Sequence, residues 1–295
     1  MTEYTVSFDE IGVRLDASVV SHLAVLSRAS VQKLNEQKLI TVNEEFKRTS
    51  YKLRIDDKVV INFDVSKKEE IPLVDLQVLY EDDDCVVINK PIGLLSHSKG
   101  AFNPEATVAT WLEPRLRLDI PSAQQEEHHS RSGIVHRLDR ATSGVMICAK
   151  TPDSLKWLQK QFSTRKTKKT YMAIVPGRMD PVTAIIDMPI ERNPKKPQTF
   201  RVGANGKPSL TAYETVETND THSLLKLSPT TGRTHQLRVH LSFLKKPIVG
   251  DTMYEGEPAS RLYLHAYSLE LTLPSKERKV FMAPIPAEFK LFMAK

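Results

Sequence analysis

Residues 133–144 read GIVHRLDRATSG and are followed by the apolar run 145–149, VMICA, which has the composition of a buried strand. Arg137 and Arg140 flank Asp139 within this polar stretch. A neighbouring guanidinium favours the ionised form of a carboxylate, even in a partly desolvated cleft. A single aspartate in a loop is most often a turn or capping residue. The pattern alone therefore leaves a structural and a catalytic role for Asp139 open.

The chain beyond residue 75 mixes strand-like and helical patterns without a regular βαβ order. Strand-like runs occur at 85–88, 144–149, 171–175, 210–215, 224–227 and 262–273. Helical patterns occur at 151–158, where Thr151 can be the N-cap and Pro152 fits the first helical position, and at 234–244. We therefore expect an α+β domain built on a largely antiparallel mixed sheet.

The N-terminal part has the pattern of a small separate α/β module. Asp16 and Ser27 are each placed to cap a short helix that carries apolar residues at helical spacing. Two β-branched runs follow, and the polar segment 65–70 suits a linker. The predicted organisation is a first domain at 1–66, a linker at 67–74 and a second domain at 75–295.

Composition limits the class of protein. The 295 residues carry 42 basic and 36 acidic side chains, and this net charge of +6 supports a polyanionic partner only weakly. Cys85 and Cys148 both lie in apolar runs, which indicates buried reduced thiols and a reducing compartment. The N-terminus has no pattern of a secretory signal, and no run approaches the roughly 18 apolar residues of a membrane span. We expect a cytoplasmic protein without a membrane partner.

The order His136-Arg137-Leu138-Asp139, followed by Thr-Ser-Gly at 142–144, resembles the signature of the RluA-type pseudouridine synthases. Further segments fall in the order of that family: NKPIG at 89–93, KTYMA at 169–173, TGRTHQLRVH at 231–240, PIVGD at 247–251 and LYLHA at 262–266. The N-terminal module resembles the S4 RNA-binding domain that RluD-like members carry. Ordered motifs therefore span residues 75 to 273.

The resemblance implies an isomerase that converts uridine in RNA to pseudouridine. It makes Asp139 the catalytic carboxylate, Arg238 its ion-pair partner, and Tyr171 a candidate base that lies against the uridine. A carboxylate beside an anomeric carbon can attack it or stabilise positive charge on the sugar, so no metal or organic cofactor is expected. Attack on C1′, addition to the base and a glycal route all remain open.

The resemblance also implies a set of RNA contacts. The target uridine must be turned out of its stack, and Arg137 is the candidate to fill the gap. Leu264, rather than Leu262, is expected to form the apolar wall under the base. Further expected RNA contacts are His136, Lys90, Arg233, the basic run 160–169, and Arg28 and Lys33 of the N-terminal module. We expect a monomer acting on ribosomal RNA of the large subunit, with transfer RNA as the other possible substrate.

Three other interpretations compete with this one. His235 and His240 could suggest a metal site, but no cysteine or carboxylate pattern completes a ligand set. The order His-Arg-Leu-Asp superficially resembles a kinase catalytic loop, yet the chain has no glycine-rich phosphate loop. The third alternative is an RNA-binding or ribosome-assembly protein with a vestigial pocket. The sequence disfavours it because Asp139, Tyr171 and Arg238 are all present.

Overall fold

A computed structural model describes residues 1–23, 26–64, 71–97, 105–117 and 133–294. The chain forms two compact units. The first comprises Met1–Val74 and His97–Glu113, and the second comprises Asp75–Ser96, Pro114–Leu118 and Gly133–Lys295, each as far as its residues are described. Part of the expected linker, residues 67–70, lies outside the described residues. The boundaries at 66 and 75 stay a prediction.

The first unit packs short helices on a small antiparallel sheet. The sheet has the order β1-β3-β2. The elements are β1 Thr2–Thr5, a 3-10 helix Phe8–Glu10, α1 Leu15–His22, α2 Arg28–Glu36, β2 Ile40–Val42, β3 Lys58–Ile61 and α3 Val108–Leu112. Its core consists of aliphatic side chains from α1, α2 and the strands, chiefly Leu15, Val19, Val31, Leu34, Ile40, Val42, Val59 and Ile61.

One of the two expected caps in this unit is confirmed, and the other is wrong. The hydroxyl of Ser27 accepts a hydrogen bond from the Ser30 N–H at 3.1 Å, as an N-cap does. Helix α1 instead begins at Leu15, and Asp16 lies in its first turn, where it binds the Arg14 guanidinium. The backbone N–H groups of Leu15 and Asp16 bind carbonyls of neighbouring chain segments, so this helix start needs no side-chain cap.

The second unit is built on a nine-stranded sheet. Its path is β4-β5-β6-β13-β7-β12-β11-β8, and β14 pairs with β13. The strands of this unit, of which β9 and β10 lie outside the large sheet, are β4 Gln77–Glu81, β5 Cys85–Lys90, β6 Ser143–Ala149, β7 Lys168–Pro176, β8 Thr183–Asp187, β9 Ile190–Arg192, β10 Phe200–Val202, β11 Leu210–Thr218, β12 His222–Pro229, β13 Leu264–Thr272 and β14 Arg278–Met282. The helices are α4 Pro152–Ser163, α5 Gln236–Phe243 and α6 Ala287–Met293, with a 3-10 helix at Glu113–Arg115.

Strand pairing confirms the expected α+β class. Every pairing in the large sheet is antiparallel except that of β6 with β13. Strands β9 and β10 form a separate antiparallel pair. Thr151 caps α4 by accepting from the Ser154 N–H at 3.1 Å, with Pro152 in the first turn, as the sequence predicts. Cys85 and Cys148 are buried free thiols, as expected.

The parallel contact between β6 and β13 fixes the polar loop that precedes β6. Ser143 and Gly144 pair with His265 and Ala266. Gly144 has φ +120°, and a Cβ built on it would lie 2.2 Å from the Ala266 carbonyl oxygen. Only glycine permits this approach. The loop containing Asp139 is therefore held against the start of β13.

Among the described residues, no helix is both long and apolar enough to cross a membrane.

Candidate functional site

A cavity of about 160 Å³ opens beside the loop that precedes β6. Four other parts of the second unit complete its wall: β7, the end of β12 with the following turn, the start of α5, and the start of β13. The lining residues are Arg137, Leu138, Asp139, Thr142, Lys169, Tyr171, Pro229, Thr231, Gly232, Arg233, Thr234, His235, Gln236, Leu237, Arg238 and Leu264. The cavity thus brings together all three residues expected to be catalytic.

The loop holds Asp139 through backbone contacts. The Thr142 N–H donates to the Asp139 carbonyl at 3.0 Å. The Ser96 hydroxyl donates to the Leu138 carbonyl at 2.8 Å and accepts from the Leu138 N–H at 3.2 Å. Leu138 is 4% exposed, so it anchors the loop in the core, while the Asp139 side chain remains 22% exposed. The carboxylate therefore faces the cavity from an anchored backbone.

Arg238 lies between two carboxylates. Its Nη1 is 3.4 Å from Oδ2 of Asp139, a long contact at the limit of a hydrogen bond. Its Nε and Nη2 each donate to Asp251 at 2.7 Å. Burial lowers the pKa of the guanidinium, but the hydrogen bonds and charge of Asp251 outweigh it, and the net direction is upward. Arg238 is therefore a fixed cation whose free edge faces Asp139.

Asp251 is the site residue that the sequence did not reveal. Its side chain is 0% exposed, and Oδ1 also accepts from the N–H groups of Met253 and Tyr254 at 3.2 Å each. The residue stands at the end of the PIVGD segment, immediately after Gly250. A carboxylate directly after the apolar residues 247–250 was the available signal, because an acid buried there needs a cationic partner.

Strands β7 and β13 supply the wall opposite the loop. Leu264 is 3% exposed and lines the cavity, whereas Leu262 lies in the core and is not part of the lining. Tyr171 lies on β7, and burial followed by the charge of Asp139 raises the pKa of its phenol. A raised pKa keeps the proton on Tyr171 and opposes a role as base in the free protein.

Lys169 lies two residues before Tyr171 on the same face of β7 and also lines the cavity. The sequence analysis expects it to contact RNA as part of the basic run 160–169. Its ammonium instead donates to the Thr231 carbonyl at 3.3 Å, and burial lowers its pKa. The lysine therefore adds a positive charge to the cavity wall.

His235 is the N-cap residue of α5 and has a left-handed backbone, with φ 57°. Its Nδ1 lies 2.8 Å from the Tyr254 hydroxyl, and its Nε2 lies 3.8 Å from Oδ2 of Asp139. Burial lowers the pKa of the imidazole, which the charge of Asp139 partly offsets. Non-glycine residues in this backbone region are uncommon and concentrate at functional sites.

Four of the expected RNA-contacting residues are exposed or partly exposed. Arg137 is exposed and Arg233 is partly exposed at the cavity, so both can reach a nucleic acid. Arg28 and Lys33 are exposed on α2 of the first unit.

The structure contradicts the expected phosphate contact of Lys90. The residue is 0% exposed, and its ammonium donates to the carbonyls of Pro91, Leu94 and Arg140 at 2.8, 2.9 and 3.4 Å. Burial lowers its pKa to about 8. Lys90 therefore braces the Asp139 loop from inside and cannot touch a phosphate in this conformation.

His136 is not part of the cavity wall either. Its ring stacks on Phe162 with 4.5 Å between centroids, and its Nε2 accepts from the Ile147 N–H at 3.1 Å. Burial, followed by the charge of Lys169, lowers its pKa to about 3. A neutral ring that accepts from β6 supports the loop, and this placement argues against the expected RNA contact.

Comparison with known proteins gives one consistent result. A model of the RNA pseudouridylate synthase family matches residues 84–243. Ribosomal large subunit pseudouridine synthase D of Borreliella burgdorferi is 34% identical over 303 residues, covering 99% of this chain and 91% of that protein. The protein of the same name from Escherichia coli K12 is 33% identical over 307 residues, covering 96% and 90%.

A solved structure also resembles the chain. Human RNA Pseudouridylate Synthase Domain Containing 4 is 28% identical and superposes with a TM-score of 0.56 over 72% of this chain and 90% of its own. The fold and the sequence motifs thus agree on the same family.

Proposed function

Because the chain belongs to the family of RNA pseudouridylate synthases, we propose that it isomerises uridines of large-subunit ribosomal RNA, with Asp139 as the catalytic carboxylate. One observation carries the assignment of the residue: Asp139 faces a cavity within reach of the fixed guanidinium of Arg238. The names of the two bacterial relatives, which the chain matches over nine-tenths of their length, support the choice of RNA.

The reaction breaks the C1′–N1 bond of uridine and forms a C1′–C5 bond, while C5 loses one proton and N1 gains one. Atoms and electrons balance within the nucleotide, so no oxidant or reductant is needed. Asp139 attacks C1′, adds to the base, or stabilises positive charge on the sugar in a glycal route, in which C2′ loses a proton as the base departs and regains one when the C1′–C5 bond forms. Arg238 orients the carboxylate, and Leu264 forms the apolar surface under the detached base.

Arg137 and Arg233 form the proposed RNA contact at the cavity mouth. Arg137 is exposed beside Asp139, so it can enter the gap that an everted uridine leaves in the stack. Arg233 lies in the turn before α5, and its side-chain Nε donates to the Pro208 carbonyl in a long hydrogen bond of 3.3 Å. Its guanidinium is therefore available for a phosphate.

The decisive experiment compares the wild type with Asp139→Asn on ribosomal RNA transcripts. Pseudouridine is scored by chemical mapping, and RNA binding is measured in parallel. We expect the rate to fall at least about 1,000-fold with binding retained, since such losses are usual for a catalytic group. Asp153→Asn is the matched control, because Asp153 is 98% exposed on α4 and away from the cavity lining. An active Asp139→Asn protein would refute the assignment.

The same assay identifies the RNA class. We expect modification of large-subunit ribosomal RNA and none of transfer RNA. A binding or assembly protein with a vestigial pocket would bind the ribosomal transcript and leave every uridine unchanged. The family match and the presence of Asp139, Tyr171 and Arg238 in one cavity support the enzyme over this alternative.

We further propose that residues 1–66 are an S4-like RNA-binding domain of a monomeric cytoplasmic protein. Arg28 and Lys33, exposed on α2, are its candidate phosphate ligands. The double variant Arg28→Glu/Lys33→Glu should raise the Kd for ribosomal RNA about tenfold or more. Lys58→Glu is the control, because Glu3 already pairs with Lys58. Equal affinities of the wild type and the double variant for ribosomal RNA would overturn the role of α2. Sedimentation tests separately whether the protein is a monomer.

A further inference from the structure

We propose that His235 is a positioning residue for Asp139. Tyr254 holds its ring as the Nε2–H tautomer, and this N–H faces Oδ2 of the carboxylate, which leaves Oδ1 for the nucleotide. This inference rests on the proposed role of Asp139 as the catalytic carboxylate. It adds two residues, His235 and Tyr254, that the expected site did not include.

The hydrogen-bond pattern around Tyr254 selects the tautomer. The Tyr254 hydroxyl accepts from the Phe200 N–H at 3.0 Å, so its own hydrogen is free to be donated elsewhere. Among the described residues, the other hydrogen-bonding neighbour of this hydroxyl is Nδ1 of His235 at 2.8 Å. If the hydroxyl donates to Nδ1, a neutral imidazole must carry its hydrogen on Nε2. In the opposite tautomer, the Phe200 N–H and an Nδ1–H of His235 would both point at the Tyr254 hydroxyl oxygen. The hydroxyl hydrogen would then lose Nδ1 as its acceptor.

The other ring nitrogen faces the carboxylate. Nε2 lies 3.8 Å from Oδ2 of Asp139, the oxygen that Nη1 of Arg238 also approaches. A lone pair at Nε2 would repel this oxygen, whereas an N–H attracts it. The distance exceeds that of a hydrogen bond, as catalytic contacts often do before the substrate binds. Both described side-chain partners of Asp139 thus converge on Oδ2, which leaves Oδ1 for the reacting atom.

The surroundings keep this arrangement rigid. Tyr254 is 7% exposed, and its ring lies against the Arg238 guanidinium with 5.0 Å from the ring centroid to Cζ. Asp251, which binds Arg238, also accepts from the Tyr254 N–H. Burial outweighs the attraction of Asp139 and lowers the pKa of His235, which favours the neutral ring. Asp251 therefore holds Arg238 directly and holds His235 indirectly, through Tyr254.

Nitrogen NMR of ¹⁵N-histidine protein tests the tautomer without any assay of activity. The His235 signals are assigned by their loss in His235→Gln. We expect a protonated Nε2 and an unprotonated Nδ1 in the wild type, and protonation of Nδ1 to increase in Tyr254→Phe. Tyr213→Phe is the matched control, because Tyr213 is also buried but donates to the Pro181 carbonyl. A protonated Nδ1 in the wild type would overturn the proposal.

Kinetics test the consequence for Asp139. His235→Leu removes the donor and should lower kcat about 10- to 100-fold with little change in KM, the loss expected for a hydrogen bond to a charged group. His235→Gln supplies an amide N–H near the position of Nε2 and should recover much of that loss. Leu and Gln both lack a branched Cβ, so the left-handed backbone disfavours them to a similar degree. Equal kcat values for the two variants would also overturn the proposal.

His222→Gln controls for the loss of a histidine. His222 is 15% exposed and pairs with Glu257, much as His235 is 13% exposed and faces Asp139, but it is not part of the cavity lining. We expect its kcat to equal that of the wild type. The Asp139→Asn variant tests the proposed catalytic role of Asp139 independently of the role of His235. If that variant is inactive while the Leu and Gln variants of His235 are equal, only the role of His235 fails.

Discussion

Arg238 and Asp251 form a buried, two-pronged ion pair, with Nε and Nη2 each 2.7 Å from a carboxylate oxygen and side chains 7% and 0% exposed. This geometry uses the flat edge of the guanidinium and leaves Nη1 for Asp139. The orientation of the proposed catalytic carboxylate therefore depends on a second carboxylate that lines no part of the cavity.

Removing the charge of Asp251 should disturb both stability and catalysis. In Asp251→Asn the buried guanidinium loses its close counterion and keeps only the long contact to Asp139, which costs about 3 kcal/mol of unfolding free energy. The rate of modification should fall as well, because Arg238 is no longer held towards Asp139. Urea unfolding and single-turnover kinetics measure the two effects. Glu270→Gln, which breaks the more exposed pairs with Arg278 and Lys168, is the control and should leave the urea midpoint nearly unchanged. An unchanged urea midpoint in Asp251→Asn would contradict the account.

Gly144→Ala should be strongly destabilising, because the new Cβ would clash with its surroundings and because alanine is unfavourable at the positive φ of this residue. The new Cβ would lie 2.2 Å from the Ala266 carbonyl oxygen at φ +120°. Strands β6 and β13 would have to separate, at a cost of about 3 kcal/mol or more. Gly93→Ala isolates the backbone part, since Gly93 has φ +82° but no atom within 4 Å of the new Cβ. It should cost about 1–2 kcal/mol. Equal midpoints for the two variants in thermal unfolding would exclude the steric contribution.

Much of the second unit could be predicted because its central strands carry long apolar runs. Every residue of β6 is buried, and the predicted run at 144–149 differs from the strand by one residue. Strands β9 and β10 were not predicted, because their sequences, IER and FRV, contain charged residues and no β-branched or apolar run. In β14 only Phe281 is buried, so the apolar signal is similarly weak.

The site was predictable only as far as its motifs reach. Asp139 stood out because the loop is polar between apolar runs. The pairing of Arg238 with Asp251 depends on how α5 packs, which no local pattern encodes. Lys90 was expected to contact RNA because it is a basic residue of the NKPIG segment that resembles a family motif. Its place at the end of the buried strand β5 was the signal for an internal role.

Arg233 should contribute one phosphate contact to RNA binding. For Arg233→Gln we expect weaker binding and a slope of log K against log salt that is smaller by about 0.7–1. Filter binding at several salt concentrations measures the slope. Lys226→Gln is the control, because the Lys226 ammonium already pairs with Glu214 at 3.0 Å. A variant that loses affinity with the wild-type slope would show that Arg233 acts on RNA without neutralising a phosphate.

His265 should make the protein less stable in mild acid. The ring is 0% exposed, contacts the Ser143 hydroxyl through Nδ1, and donates from Nε2 to the Ala283 carbonyl at 3.2 Å. Burial lowers its pKa from 6.5 to about 4, because the charged ring loses its hydration. Neutral His265 therefore contributes stability that is fully present above pH 6.5 and is lost as the pH falls towards 4.

The expected loss from this one group between pH 7 and pH 5 is about 2 kcal/mol. Urea unfolding of wild type and His265→Gln at both pH values measures it. Glutamine does not titrate, so the variant should lose about 2 kcal/mol less than the wild type over this interval, whatever its stability at pH 7. Other buried histidines, such as His136, contribute equally to both proteins and cancel in the comparison. Parallel losses in the two proteins would mean that the ring of His265 does not stay neutral for the reason given.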